Sequence, residues 1–198
     1  MGIVIGIDIG QKRDPTAICV AQADDDLELV GKTGVHFAVR YLQRLPLRTP
    51  YPEVAKQLVR LIGAVRERAP ETTPTVFVDA TGVGQPVVDL LREGVRGAWV
   101  HAVYFTHGDR RSKENDGSVS LGKAWLVSRL QALLQAGRLH LPKIPEAEAL
   151  AQELLDYEIR VSEDANDRYG AFRVGTHDDL VTALGLAVQV NPPRVWLR

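Results

Sequence analysis

Three acidic positions, far apart in the chain, have the setting of a hard-cation site. Asp8 interrupts the aliphatic run Ile3-Val4-Ile5-Gly6-Ile7-Asp8-Ile9-Gly10, where an ionised carboxylate is unfavourable unless a counter-charge compensates it. Asp79 closes a second run of the same design, Thr75-Val76-Phe77-Val78-Asp79. Asp178 and Asp179 stand in Thr176-His177-Asp178-Asp179, at the head of an apolar helical segment. Taken singly, each has a plain structural explanation. Asp after a strand is a common turn residue, and Asp near a helix N-terminus is favoured by capping and by the dipole. Their coincidence at three element ends points instead to ligands for Mg²⁺ or Mn²⁺, which take oxygen donors. Two such ions about 3.5–4 Å apart activate water and stabilise the leaving oxygen of a phosphodiester. Consecutive helical residues point about 100° apart. One member of the doublet is therefore expected to be the full ligand; Asp179 is favoured, with Asp178 close by or on the second ion.

Such a site requires elements that bring these ends together. The run ending at Asp8 reads as a buried strand, and Thr16–Ala21 as a second strand returning beside it. Asp24-Asp25-Asp26 lacks the alternating spacing of a calcium loop and reads as a hairpin tip, and Leu27–Val39 as a third strand. Val54, Leu58, Leu61, Ile62 and Val65 recur at helical spacing, predicting a helix over 52–68. The strand ending at Asp79 follows, then a helix from Pro86 to about Glu93 and a strand over Ala98–Phe105. His107–Ser120 is polar and reads as a long loop. Helices are expected from Leu121 to Gly137, around Leu150–Leu155 and over Asp179–Val190. Arg138–Leu141 reads as a short extended piece, and Tyr157–Val161 with Tyr169–Val174 as a hairpin. Tight links make the first three strands antiparallel, and helical crossovers make the fourth and fifth parallel to the first. The expectation is one α/β domain over 1–198 with an RNase H-like mixed five-stranded sheet flanked by helices. Parallel neighbours lie about 4.8 Å apart, so Asp8 and Asp79 would project at one sheet edge, where open α/β sheets carry their sites.

Composition narrows the setting. With 198 residues, 45% hydrophobic and 25% charged, the chain has an ordinary globular balance. It has no apolar run of membrane-spanning length and no signal-peptide pattern. The single Cys19 excludes a disulfide framework or a cysteine zinc site, and its apolar strand makes it a buried structural thiol. An intracellular, cytoplasmic protein is the expectation. The net charge of −1 does not advertise nucleic acid, but seven bases against two acids over 36–69 could steer phosphates. Eight acids against two bases over 144–168 balance them, so solvated faces explain the pattern equally well.

Larger segments carry a family likeness. Gly6-Ile7-Asp8-Ile9-Gly10 with Asp14-Pro15-Thr16-Ala17, then Val76–Gly84, then Gly175–Leu184, resemble the nuclease domain of phage large terminases. Gly122-Lys123, Ala136–Pro142 and Glu153-Leu154-Leu155 match in the same order. The resemblance implies an RNase H-like fold and Mg²⁺- or Mn²⁺-dependent endonuclease cleavage of packaged double-stranded DNA. It also implies metal-ligand roles for Asp8, Asp79, Asp178 and Asp179. Partners would include an ATPase motor domain, the portal and a small terminase subunit, and the setting would be the host cytoplasm. No G-x-x-x-x-G-K-[ST] loop occurs, so no ATPase motor is expected here, and the chain reads either as a free-standing or excised nuclease domain or as a relative with another use.

Further candidates lie near the expected edge. Asp14 could reach the ions from the turn after Asp8, and His177 could orient a carboxylate or contact the scissile phosphate. Lys12, Arg13, Arg110, Arg111, Lys113 and Lys123 would contact DNA phosphates without reading sequence. Three other readings compete. A Holliday-junction resolvase of the RuvC type shares the fold and the acids, and would be separated by its action on branched DNA. Asp8-Ile9-Gly10 also resembles the first phosphate motif of actin-like ATPases and sugar kinases, which need a duplicated, longer fold. A non-catalytic DNA-binding module would show no metal-dependent nicking.

Overall fold

The computed structural model describes residues 2–10, 14–24, 34–161, 167–170 and 177–189. The aliphatic run forms β1 (Gly2–Asp8), central in an eight-stranded sheet. β2 (Ala17–Asp24) pairs antiparallel with it, and β3 (His36–Arg44) antiparallel with β2. On the other side β4 (Thr75–Asp79) runs parallel to β1, and β5 (Trp99–Thr106) parallel to β4. These five strands are the expected mixed sheet. Three short strands extend it: β6 (Arg111–Lys113), β7 (Val119–Gly122) and β8 (Leu139–His140). The spatial order is β6-β7-β5-β4-β1-β2-β3-β8.

The differences from the sequence reading have physical reasons. The segment expected as a structureless loop over 107–120 holds the β6–β7 hairpin, whose second strand runs on to Gly122, so the following helix starts at Lys123 rather than Leu121. All of β6 is exposed, so it shows no apolar alternation to read. β3 starts at His36 and runs on to Arg44, while 25–33 lie outside the described residues. The second hairpin is β9 (Glu158–Val161) with β10 (Asp167–Gly170), a separate two-stranded sheet; 171–176 lie outside the described residues.

Strand parity sorts the two faces. Ile5, Ile7, Ile18, Val20, Val76 and Val78 face a core closed by α1 (Tyr51–Arg68) and α2 (Gln85–Gly94). Val4, Ala17, Cys19, Ala21 and Phe77 face a second core closed by α3 (Lys123–Gln135), α4 (Pro145–Asp156) and α5 (Asp179–Ala187). Each fully buried Ile, Val or Leu contributes about 1.5–3 kcal/mol. Cys19 is fully buried and burial pushes its thiol up, which fits an inert core residue.

α5 is buried along its whole length, as its all-round apolar sequence requires. It packs on β1, β2 and β4, over a strip of small side chains that includes Ala17, Cys19 and Ala21. Closest approach falls at Gly6, where an added Cβ would stand 2.0 Å from the Ala183 carbonyl oxygen and 2.5 Å from the Ala187 nitrogen. Parity puts Asp8, two residues beyond Gly6, on this same α5 face. In β4, Asp79 shares a face with Phe77, again on the α5 side. The β1–β4 register pairs Ile7 with Val78, so Asp8 and Asp79 occupy the next rung together. Among the described residues, no helix is long and apolar enough to cross a membrane.

Candidate metal centre

At the C-terminal ends of β1 and β4 the sheet opens into a cleft of about 430 Å³. Asp8, Asp14, Asp79, Asp178, Lys123 and Thr182 line it, with Ile9, Gly10, Val83 and Phe105. β1 delivers Asp8, β4 delivers Asp79, and the head of α5 delivers Asp178. The turn after β4 is tightly fixed. Thr81 N–H donates to Asp79 Oδ1 at 2.8 Å, and Phe105 N–H donates to Thr81 Oγ1 at 2.9 Å. Gly84 folds back so closely that a Cβ would meet the Asp79 carbonyl oxygen at 1.8 Å.

The doublet divides. Asp178 lines the cleft, whereas Asp179, 1% exposed, is turned to Arg44. Arg44 Nε donates to Asp179 Oδ2 at 2.7 Å and Nη2 to Oδ1 at 3.4 Å. The sequence favours Asp179 as the full ligand with Asp178 close by or on the second ion; in the structure Asp178 lines the cleft and Asp179 pairs with Arg44. His177 Nδ1 lies 3.5 Å from Asp14 Oδ1 and 3.9 Å from Asp179 Oδ1. Of the basic candidates, Lys123 lines the cleft, its Nζ 5.7 Å from the Phe105 ring centroid. Arg110, Arg111 and Lys113 lie exposed on or beside the β6–β7 hairpin, where the Arg110 carbonyl accepts the Gly122 N–H at 2.7 Å. Lys12 and Arg13 lie outside the described residues.

Two residues escaped the sequence reading as parts of the site, Arg44 and Glu153. The signal for Glu153 was an acid on the apolar stripe of α4, beside Leu150 and Leu154. Arg44 gave none, since a base at a strand end passes for surface charge.

The electrostatics are those of carboxylates short of positive charge. Burial, then the charges of Asp79, Asp178 and Asp179, push the Asp8 carboxyl well above the usual range; Lys123 opposes weakly. Burial also raises Asp79, against the Thr81 hydrogen bonds, and raises Asp179 against Arg44. The donor set suits a hard divalent cation, which would supply the missing charge. Among the described residues, no group of three or more His, Cys, Asp or Glu side chains is spaced to hold a metal ion by itself. The arrangement is an open rim of carboxylates. Mg²⁺ binds in this way, through one or two carboxylates while keeping waters.

A stability consequence follows from the Asp8 shift. In the unfolded chain Asp8 ionises near its ordinary value of about 3.9. Between that pH and its higher folded value, the unfolded state has released a proton that the folded state keeps. Stability therefore falls as pH rises through this window, and the deficit persists at neutral pH. Asp8→Asn removes the deficit. In EDTA at neutral pH the variant should melt above the wild type, at about 2–4 °C per kcal/mol for a chain of this size. Saturating Mn²⁺ should narrow the gap by stabilising the wild type. A lower melting point for Asp8→Asn in EDTA would contradict the assignment.

An RNase H-like mixed sheet flanked by helices, with acids at the ends of its two central parallel strands, defines the class. The family model of the terminase RNaseH-like domain matches residues 5–190, and the chain belongs to that family. Among solved structures it is similar to the large terminase nuclease from thermophilic phage G20c with bound magnesium. That match has 22% identity over 94% of this chain and 79% of the other, with a TM-score of 0.63. It is also similar to the large terminase nuclease domain of Thermus phage P74-26, with 20% identity, 94% and 77% coverage and a TM-score of 0.57. A third likeness is to the g2p large terminase nuclease domain of bacteriophage SPP1 with bound Mn, with 10% identity, 94% and 85% coverage and a TM-score of 0.56. At these identities the likeness is one of fold. No curated protein matches significantly.

Proposed function

We propose that this chain is a metal-dependent endonuclease that hydrolyses double-stranded DNA, as the nuclease part of a terminase that cuts phage DNA during packaging. The observation that carries the reading is the convergence of Asp8, Asp79 and Asp178 on one cleft, with Asp179 behind them and Lys123 as the cation on its wall. Two relatives of the same fold were solved with bound magnesium and bound Mn, which supports divalent ions at the corresponding edge. Asp8, Asp79 and Asp178 would hold two ions, with Asp14 at the rim. When bound, the ions supply an activated water and neutralise charge on the phosphodiester. Lys123, at the first position of α3, adds its charge to the positive end of that helix and would hold a phosphate of the strand being cut. His177, beside Asp14, would orient that carboxylate or contact the same phosphate. The β6–β7 hairpin, with Arg110, Arg111 and Lys113, would follow the duplex backbone outside the cleft. The motor, portal and small-subunit partners, and a host-cytoplasmic setting, come with the same reading.

The test is plasmid cleavage. Supercoiled DNA should be nicked and linearised in Mg²⁺ or Mn²⁺ and left intact in EDTA, and readdition of metal should restore cutting. Equal cleavage with and without chelator would overturn the metal-dependent reading.

A further inference from the structure

The head of α5 has an unusual division of labour. An Asp at the N-cap position ordinarily turns its carboxylate to the N–H groups two or three residues on. Asp178 occupies that position and makes no capping bond. The Leu180 and Val181 N–H groups donate instead to Glu153 Oε2, at 3.0 and 3.1 Å, from the neighbouring helix α4. Glu153 is 7% exposed, and Arg44 pairs with its other oxygen. The same guanidinium reaches Asp179. A buried carboxylate is tolerated only when it is paired and hydrogen-bonded, and this one is both.

We propose that Glu153 is a positioning residue for the metal centre: by capping α5 from outside, it leaves the Asp178 carboxylate free to face the cleft. Arg44 completes the arrangement by tying Glu153 to Asp179, which fixes the rotation of the first turn. The inference rests on the reading that the cleft takes divalent ions. Without Glu153 the two N–H groups lose their acceptor. The replacement nearest in the chain is Asp178 itself, which would turn onto its own helix and away from the cleft.

Mn²⁺ binding, followed by the EPR signal of the free ion well below the melting temperature, tests this without any cleavage assay. Glu153→Ala should weaken Mn²⁺ binding about 10–100-fold, the range for groups that orient a metal ligand. Glu153→Gln, whose amide oxygen can still accept both N–H groups, should keep most of the affinity. In an Asp178→Asn background Glu153→Ala should add no further loss, since both changes act through one carboxylate. Unchanged affinity in folded Glu153→Ala, or a full second loss in the Asp178→Asn background, overturns the proposal. A measurement on the wild type covers the case in which the Ala variant does not fold. On adding Mg²⁺, the Asp178 carboxyl carbon should shift by NMR while the Leu180 and Val181 amides hold still; the reverse pattern overturns it. A wild type that takes up no Mn²⁺ sinks the nuclease reading and this proposal together. Failure of the Glu153 variants alone leaves the nuclease reading standing.

Discussion

Plasmid DNA incubated with Mn²⁺ and Asp79→Asn protein should stay supercoiled under conditions where the wild type cuts it to completion. Asp79 ends β4 on the rung beside Asp8, facing the cleft. Asparagine has nearly the same shape, and its amide oxygen can still accept the Thr81 N–H that holds the turn. The fold should therefore survive, with an unchanged circular dichroism spectrum. The variant loses a negative charge and a donor suited to a hard cation. Groups that merely orient a ligand are worth about 10–100-fold, so losing a ligand should cost more than about a hundredfold in rate. Wild-type-like cutting by the variant would remove Asp79 from the mechanism.

Gly6→Ala should be a severely damaging substitution, although it adds only one methyl group. A methyl at residue 6 points at backbone atoms of α5, 2.0 and 2.5 Å away, and at the Leu186 Cβ, 2.9 Å away. No side-chain rotamer relieves a clash with a main chain. The helix must lift off β1, opening the core that it closes. Overpacking of yielding cores costs about 1–3 kcal/mol, and this site should reach or exceed the upper figure. Gly63, in the middle of α1 with open space around its Cα, is the control. Its change to Ala should stabilise the protein by about 0.5–1 kcal/mol through helix propensity. Paired urea melts would show opposite shifts in midpoint. A neutral Gly6→Ala would mean that α5 is not seated as described. Because the lifted helix carries Asp178, weakened Mn²⁺ binding should accompany the loss of stability.

Much of this was legible in the chain. The five main strands and their directions follow from two aliphatic runs ending in Asp, tight links among the first three strands, and helical crossovers after them. The parity that points Asp8 and Asp79 to one face was also there, since Gly6 and Asp8 in β1 match Phe77 and Asp79 in β4. The doublet's division was not legible. Helical geometry separates Asp178 from Asp179 by an angle, but which one turns inward depends on Arg44, whose partner Asp179 lies 135 residues away in sequence. Glu153 stood in the family-like segment Glu153-Leu154-Leu155 and on an apolar stripe, but its acceptor role depends on where α4 meets α5. Arg138–Leu141 was legible as an extended piece and holds β8, whereas β6 and β7 escaped because β6 is wholly exposed and β7 is only four residues long.

The order in which the acids leave the ribosome has its own consequence. Asp178 follows Asp8 by 170 residues, and the cleft has no third wall until α5 lies on Gly6. At about 5–20 residues per second, a growing chain holds Asp8 and Asp79 for roughly 5–20 s before Asp178 is made. On the proposed function, half-made copies would lack the third carboxylate, and competence would arrive only when the closing helix docks.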